Sequence, residues 1–241
     1  AFAADLDALH VAGARAAAEA ASRAGAAAFV QVSALGADPR SPSAYAATKG
    51  RGEEAVRAAF AGATIVRPSV LFGPDDRFVN LFGRLIETFP VLPVFGAQAE
   101  LQPLFVDDAA QAVALALADP GTYAGKTCEL AGPEVLTMGR LNRMIAEAQG
   151  RKRLFVELPD ALCGFIASLP GAPISRDQWA LLKAGSKPSG QLPGLKAFGI
   201  VPRPLELFLD RWMIRFRKRG RFGAKVQSGA NEGFARGPGM M

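Results

Sequence analysis

The 241-residue chain contains few histidines and cysteines, two residue types on which much nucleophilic and metal-dependent catalysis relies. Its single histidine, His10, excludes histidine-based catalytic triads and histidine-rich metal sites. Its two cysteines, Cys128 and Cys163, lie far apart without the spacing of metal ligands. We interpret them as buried thiols in a reducing compartment, and we expect the protein to bind no metal.

Long apolar runs are also missing, although half of the residues are hydrophobic. Pro90, Pro93 or charged residues interrupt each candidate before it reaches the roughly 18 residues of a membrane span. The formal net charge is +6, but residues 211–241 carry eight Lys or Arg and one Glu, so the remaining chain is close to neutral. We therefore expect anionic partners to meet the C-terminal tail.

The segment around Tyr45 and Lys49 is the strongest candidate for chemistry. An apolar stretch predicts a strand that ends at Ser33, and a helix is predicted over about 44–60. The four-residue spacing places Tyr45 and Lys49 on one helix face, about 5–6 Å apart at Cβ. A nearby ammonium favours a phenolate, so we expect Lys49 to lower the pKa of Tyr45 and Tyr45 to exchange protons with a reacting oxygen. The alternative is an ordinary amphipathic helix with a core tyrosine and a solvated lysine.

Strand-like and helix-like stretches alternate along the chain. Apolar runs near 27–33, 64–69 and 125–133 predict buried strands, and the periodic stretches between them predict helices. This alternation is typical of an α/β fold whose parallel strands are joined by right-handed crossovers. At the start of one of these helices, Asp107 or Asp108 is predicted to be the N-cap.

A glycine-rich turn between a strand and a helix, the usual cradle of a pyrophosphate group, is missing from the sequence. Gly50 and Gly52 fall inside the predicted helix that carries Tyr45, and the later glycines fall in loops or in the tail. We therefore expect the chain to be a fragment that lacks the N-terminal strands of its sheet. The first strand would then present an unpaired parallel edge.

The order of the motifs is similar to that of a known superfamily. A strand that ends in Ser33 is followed by Tyr45-x-x-x-Lys49, then by Arg67-Pro68-Ser69 and by Phe72-Gly73-Pro74. This succession resembles the extended and atypical short-chain dehydrogenase/reductases. The resemblance implies a Rossmann-like, doubly wound parallel sheet, here partial because N-terminal strands are absent, with a small C-terminal lobe.

Two further stretches resemble one family within this superfamily. Residues 32–37 and residues 192–206 are similar to segments of the NAD(P)H-binding accessory subunit of respiratory complex I, the alpha subcomplex subunit 9 family. The resemblance extends from the first helix to about residue 223 and lacks the N-terminal third of that family.

The resemblance divides the chain into three parts. Residues 1–150 would form the C-terminal portion of an NAD(P)-binding Rossmann-like domain, and residues 151–204 a small substrate-side lobe. Residues 205–241 would form a basic amphipathic helix and a disordered tail. Two alternatives stay open for this helix: it packs on the body, or it docks on an anionic membrane or an acidic partner.

The resemblance also implies roles for individual residues. Tyr45 would be the acid/base, Lys49 would bind the ribose hydroxyls, and Ser33 would contact a substrate oxygen, unless Ser33 is an ordinary strand-end serine. The backbone of Pro68 and Ser69 would lie beside the nicotinamide. The implied cofactor is NAD or NADP, with NADP preferred.

Three functions follow from these observations. The first is an accessory subunit of the complex I type that holds its nucleotide mainly structurally. The second is an active NAD(P)-dependent oxidoreductase or epimerase, with Tyr45 as acid/base. The third is a non-catalytic binder of a membrane or RNA through its basic tail, in which residues 205–225 would contact an anionic membrane and nucleic acid is the less favoured partner. We expect a bacterial cytoplasmic protein, peripheral on the inner membrane.

Overall fold

The computed structural model describes residues 2–218, with side chains from residue 5 onward. The strands are β1 (Val30–Val32), β2 (Thr64–Pro68), β3 (Leu71–Phe72), β4 (Val91–Val94), β5 (Glu100–Leu101), β6 (Leu104–Phe105), β7 (Thr127–Leu130), β8 (Leu136–Thr137) and β9 (Leu154–Glu157). The helices are α1 (Phe2–Asp7), α2 (Ala14–Arg23), α3 (Ala44–Ala59), α4 (Phe78–Thr88), α5 (Val106–Ala118), α6 (Pro120–Tyr123), α7 (Met138–Ala148), α8 (Asp160–Ala167), α9 (Arg176–Ala184) and α10 (Glu206–Trp212).

A parallel sheet of order β1-β2-β7 forms the centre of the described structure. Val32 is in register with Val66, and Val66 with Cys128. Within residues 2–218, β1 pairs with β2 alone and is therefore an edge strand. The predicted α/β class with a partial parallel sheet is confirmed. Observed β1 is shorter than the predicted 27–33 segment.

The first helix contains a wide turn. A π-helical segment, Ala8–Gly13, joins α1 to α2, and all three parts pack on α3. The contact is close, since a Cβ at Gly52 would lie 2.1 Å from the carbonyl oxygen of His10. Glycine at position 52 therefore allows the two helices to touch at the π-helical segment.

Apolar side chains form three clusters. The largest includes Phe72, Ile86, Leu141, Ile145 and Met213 and lies between α4, α7 and the C-terminal segment. The second covers the sheet on the side of α5 and includes Val66, Cys128, Leu130, Phe198 and Ile200, while the third lies under α2 and α3 and includes Ala18, Val56 and Ile65. Residues 195–200 thus pack on the main sheet.

The two-stranded parallel sheet β4-β9 joins residues on both sides of position 150, with Val91 in register with Leu154. The boundary between the Rossmann-like part and the lobe therefore stays a prediction. Thr137 caps α7 as its sequence suggests, accepting a hydrogen bond from the Arg140 amide, and Gly150 follows with φ +66°.

The prediction that Asp107 or Asp108 caps α5 is wrong. The N-cap residue is Phe105, whose side chain makes no capping bond, and both aspartates lie in the first turn. Asp108 is 1% exposed and instead accepts hydrogen bonds from the Arg203 amide, at 2.9 Å, and from its Nε, at 2.8 Å. These charge-assisted hydrogen bonds to a buried carboxylate anchor the segment that leads into α10.

The apolar side of the C-terminal helix is buried in the body. Leu205, Leu209, Met213 and Phe216 are buried in the largest cluster, and Phe208 stacks on Phe105 with ring centroids 4.3 Å apart. These contacts favour the closing helix over the docking helix for residues 205–216. The predicted disorder from Gly220 onward concerns residues outside the described part of the chain.

Candidate functional site

The carboxyl ends of β1 and β2 meet at one edge of the sheet, where ligands bind in open parallel sheets. Ser33 follows β1 directly, and its amide donates to the Val66 carbonyl oxygen at 2.7 Å. Two residues later, the Leu35 amide donates to the Pro68 carbonyl oxygen at 3.1 Å. Ser33 and Pro68 are therefore neighbours across the ends of adjacent strands.

Two side chains fix the start of α3 immediately before Tyr45. The N-cap Ser43 accepts a hydrogen bond from the Ala46 amide at 3.3 Å. The carboxylate of Asp177, in the first turn of α9, accepts one from the Ala44 amide at 2.6 Å. Negative charge at a helix N-terminus is stabilising, so α9 contributes to the placement of the tyrosine helix.

Tyr45 and Lys49 lie on the same face of α3, and Lys49 reaches the end of β1. The Lys49 ammonium lies 3.4 Å from the Val32 carbonyl oxygen and 5.9 Å from the centre of the Tyr45 ring. Since Val32 immediately precedes Ser33, Lys49 lies at the end of β1, one residue before Ser33, and on the same helix face as Tyr45. Their roles stay predictions.

The electrostatics of the pair differ from the sequence-based expectation. Burial raises the pKa of Tyr45, so the prediction that Lys49 lowers it is wrong for this arrangement. Burial lowers the pKa of Lys49, while the Glu53 carboxylate opposes that shift. Removing a phenol from water penalises its anion, and here this effect outweighs the ammonium at 5.9 Å from the ring centre.

The Ser33 hydroxyl is a buried polar group without a hydrogen-bond partner in the described structure. Ser33 is 4% exposed. Buried hydroxyls are rarely left unpaired. An oxygen or amide of a bound molecule at the end of β1 would supply the missing partner, so the residues present fit a polar ligand there.

Pro68 and Ser69 are predicted to contact the cofactor, but the amide and the hydroxyl of Ser69 are already bonded within the protein. The Ser69 amide donates to the Leu130 carbonyl oxygen at 2.8 Å, and its hydroxyl donates to the Ser186 carbonyl oxygen at 2.9 Å. Ser69 therefore ties β2 to the segment after α9. The backbone at Pro68 and Ser69 would therefore contact a ligand by van der Waals packing and would not donate a hydrogen bond from the Ser69 amide.

A buried ion pair supports the site from below. Arg67 donates to both carboxylate oxygens of Glu53, at 2.9 and 2.7 Å, and the hydrogen bond to Glu53 is the main cause that raises the pKa of Arg67. Glu129, in the next strand, accepts from the amide and the hydroxyl of Ser189. Glu53 thus connects Lys49 on α3 with Arg67 on β2.

Sequence reasoning missed two contacts of His10, one with Tyr45 and one with Thr48. The His10 ring meets the Tyr45 ring edge to face, with centroids 5.4 Å apart, and His10 Nδ1 lies 2.8 Å from the Thr48 hydroxyl. A lone histidine in a predicted helix gives no local signal for such a contact, because the π-helical segment that creates it has no clear sequence signature.

Other features of the described residues lie apart from this site. A cleft of about 450 Å³ is lined by residues 71–77 and Val106 and contains none of the predicted site residues. Among residues 5–218, no cluster of His, Cys, Asp and Glu could hold a metal ion. No described helix has the length and apolar content needed to cross a bilayer.

Known proteins resemble the chain at the levels of sequence and fold. Residues 7–157 match the family described as "RmlD substrate binding domain". The chain is 32% identical over 213 residues to the "NADH dehydrogenase (ubiquinone) 1 alpha subcomplex subunit 9, mitochondrial" of Arabidopsis thaliana, covering 82% of this chain and 53% of the relative. It is 38% identical over 148 residues to the "Ceramide reductase" of Caulobacter vibrioides, covering 61% of this chain and 46% of the relative.

The chain spans about half the length of these two curated relatives. Among solved structures, the human epimerase family protein SDR39U1 with NADPH has a TM-score of 0.66 at 16% identity, covering 88% of this chain and 74% of that one. Such a match shows the same fold. Because the matched family covers more than half of its residues, the chain belongs to the RmlD substrate binding domain family, among the short-chain dehydrogenase/reductase-like proteins.

Proposed function

We propose that the chain forms the nicotinamide side of an NAD(P)-binding site in a protein of the complex I accessory subunit type. The observation that carries the proposal is the position of Lys49, whose Nζ lies 3.4 Å from the Val32 carbonyl oxygen at the end of β1 and 5.9 Å from the centre of the Tyr45 ring. The similarity to the Arabidopsis subunit supports the choice of family.

The residues have distinct tasks in this proposal. Lys49 binds the ribose hydroxyls as a hydrogen-bond donor, and the unpaired Ser33 hydroxyl contacts the ligand beside the nicotinamide. Pro68 and Ser69, at the carboxyl end of β2, form a wall of the site. A nicotinamide dinucleotide, when bound, would supply the capacity for hydride transfer, while the residues of this chain would hold and orient it.

The nucleotide is held mainly structurally in this proposal. Burial raises the pKa of Tyr45, so the phenol stays protonated near neutral pH and acts as a hydrogen-bond donor rather than as a base. A protonated phenol suits a binding role. NADP is proposed over NAD, with support from the human fold relative determined with NADPH.

The partner proposed is respiratory complex I. Its support is the similarity to the Arabidopsis subunit, whose name places that protein in a mitochondrial NADH dehydrogenase. Contact with an anionic membrane through residues 205–225 would have to use basic side chains such as the exposed Arg211 and Lys218, because the apolar residues between 205 and 216 are largely buried. A bacterial cytoplasmic location beside the inner membrane stays a prediction, and so does weak or absent binding of nucleic acid.

A second candidate is an active NAD(P)-dependent oxidoreductase or epimerase. The observation that favours it is that Lys49 lies near the Tyr45 ring and contacts Val32, the residue before Ser33 at the end of β1. The similarity to a protein named ceramide reductase also fits this alternative. In it, Tyr45 would pass a proton to or from the reacting oxygen of the substrate.

Dinucleotide binding tests the main proposal. NADPH and NADH are titrated into the protein, together with any natural sequence that precedes Ala1, and binding is followed by calorimetry. Lys49→Met should weaken the affinity roughly 10- to 100-fold, because a charged hydrogen bond contributes about 1.5–3 kcal/mol. Lys126→Met, at an exposed position, is the matched control and should leave affinity unchanged. Equal affinity of Lys49→Met and the unaltered protein would refute the proposed site.

Tyr45→Phe separates the two candidates, with Tyr123→Phe as control at the only other tyrosine. In a structural site, Tyr45→Phe retains binding within a few-fold and the protein still co-purifies with complex I. In an active enzyme, Tyr45→Phe lowers turnover of a carbonyl substrate by roughly 10²–10⁴-fold with little change in dinucleotide affinity. Turnover of a carbonyl substrate that depends on Tyr45 would refute the mainly structural role of the nucleotide and support the active enzyme.

A further inference from the structure

His10 makes two contacts that converge on Tyr45. Its ring meets the Tyr45 ring at an interplanar angle of 88°, with centroids 5.4 Å apart. Its Nδ1 lies 2.8 Å from the Thr48 hydroxyl, and that hydroxyl donates to the Tyr45 carbonyl oxygen at 3.0 Å. One histidine thus touches the tyrosine ring directly and the tyrosine backbone through one bridging residue.

One arrangement of the hydrogen bonds places a proton on His10 Nδ1. Thr48 has one hydroxyl proton, and in this arrangement it is used in the bond to the Tyr45 carbonyl oxygen. The Thr48 oxygen therefore accepts the second bond, and His10 Nδ1 donates it. This leaves Nε2 as the nitrogen that gains a proton when the pH falls, without loss of the contact to Thr48.

The local backbone is built to bring His10 to this position. His10 lies in the π-helical segment Ala8–Gly13, a rare wide turn that often occurs at functional sites. The absent side chain of Gly52 leaves room for the His10 carbonyl group against α3. Thr48, which receives the imidazole, is 1% exposed, so its hydroxyl has a fixed environment.

We propose that His10 is a positioning residue that fixes the Tyr45 ring and the first turn of α3 in the site. The proposal rests on the proposed dinucleotide site and adds a residue that the site does not otherwise use. His10 acts through Tyr45 and Thr48 and contacts no reacting atom. Edge-to-face aromatic contacts are directional, so the imidazole restricts the tilt of the phenol relative to Lys49.

Charged groups around His10 make this contact sensitive to pH. Burial and the Lys49 ammonium lower the pKa of His10, whereas the Asp7 carboxylate raises it. Asp7 is itself paired with Arg51 at 2.6 Å. Protonation at Nε2 would place a second cation near Lys49 and beside the Tyr45 ring. The resonances of the Tyr45 ring should therefore shift when His10 is protonated.

Nuclear magnetic resonance can follow this response because the chain contains one histidine and two tyrosines. The ring resonances of the whole protein are recorded between pH 5 and 8, and Tyr45 is assigned with Tyr45→Phe. The Tyr45 ring resonances should shift with the same midpoint as those of His10, while those of Tyr123 stay constant. A Tyr45 spectrum that stays constant while His10 titrates would overturn the proposal.

Two variants complete the test. His10→Gln keeps an N–H donor and removes the titration, so the pH-dependent shift of Tyr45 should be lost; persistence of that shift would overturn the proposal. Thr48→Val keeps the histidine and removes its hydroxyl partner, so His10 should still titrate with a smaller Tyr45 response, and an undiminished response would contradict the bridging role.

Dinucleotide titration of the same samples at pH 7.5 separates this proposal from the proposed function. His10→Ala should weaken binding more than His10→Gln does, since glutamine retains a donor for Thr48. Absence of NADPH and NADH binding by the unaltered protein refutes the proposed function. The coupling between the Tyr45 and His10 resonances then decides the positioning role independently.

Discussion

Replacement of Ser33 by alanine should stabilise the ligand-free protein and weaken its ligand binding. The Ser33 hydroxyl is buried and has no hydrogen-bond partner among the described residues. A buried hydroxyl without a partner costs about 1–3 kcal/mol in proteins, because it has lost its bonds to water. Ser33→Ala removes that cost while it keeps the Cβ and the backbone of the strand end.

The gain should be visible in urea unfolding. With a denaturant dependence of roughly 3 kcal/mol per molar for a chain of this size, a gain of about 1–3 kcal/mol moves the midpoint up by about 0.3–1 M urea. Far-ultraviolet circular dichroism provides the signal. In parallel calorimetric titrations, the dinucleotide affinity should fall, because the ligand loses its partner at the end of β1.

The matched control is Ser43, a second buried serine whose hydroxyl is satisfied. Ser43 caps α3 and accepts a hydrogen bond from the Ala46 amide. Ser43→Ala should therefore destabilise the protein by about 1 kcal/mol. Opposite signs for the two serines support the reasoning. A loss of stability in Ser33→Ala equal to that in Ser43→Ala would show that the Ser33 hydroxyl is satisfied and would refute it.

Three further changes test other parts of the structure. Asp108→Asn should lower the free energy of unfolding by about 1.5–3 kcal/mol, because it removes charged hydrogen bonds at a carboxylate of a residue that is 1% exposed. The control Asp107→Asn, in the same turn, should change the free energy of unfolding by less than about 0.5 kcal/mol. Gly52→Ala should destabilise the protein by about 1–3 kcal/mol, since the new Cβ would lie 2.1 Å from the His10 carbonyl oxygen. Gly164→Ala, whose Cβ would have its nearest contact at 3.5 Å, should stabilise the protein by about 0.5–1 kcal/mol. Chemical denaturation measures both changes. Burial and Lys49 lower the pKa of His10 in the folded state. As the pH drops below the ordinary value of 6.5, the unfolded state therefore binds more protons than the folded state, and the stability of the protein should fall. Thermal melts at pH 7.5 and 5.5 should show a smaller loss in His10→Gln than in the unaltered protein.

The sequence predicted the elements that carry strong local signals. The helix predicted over about 44–60 is observed at Ala44–Ala59. Thr137 and Gly150 bound α7, because capping and turn chemistry depend on a few neighbouring residues. The parallel order of the central strands follows from their alternation with helices. These features needed no knowledge of distant contacts.

The errors have one physical origin, since each depends on residues far apart in the chain. Asp108 has the sequence context of a cap, yet it bonds to Arg203. The pKa of Tyr45 is governed by burial rather than by the neighbouring lysine that the helix spacing suggests. Helix spacing also gives no warning of His10, because its approach depends on a π-helical segment and on the missing side chain of Gly52.

The hydrogen bond from the Ala44 amide to Asp177 has a thermodynamic consequence for the site. It connects α9, in the predicted lobe, with the first turn of the tyrosine helix at 2.6 Å. A molecule that binds near α9 and displaces Asp177 would therefore alter the free energy of the Tyr45 turn. By reciprocity, a dinucleotide at Tyr45 and Lys49 would then change the affinity of that second molecule by the same factor, and the Asp177 carboxylate would be the contact that links the two binding events.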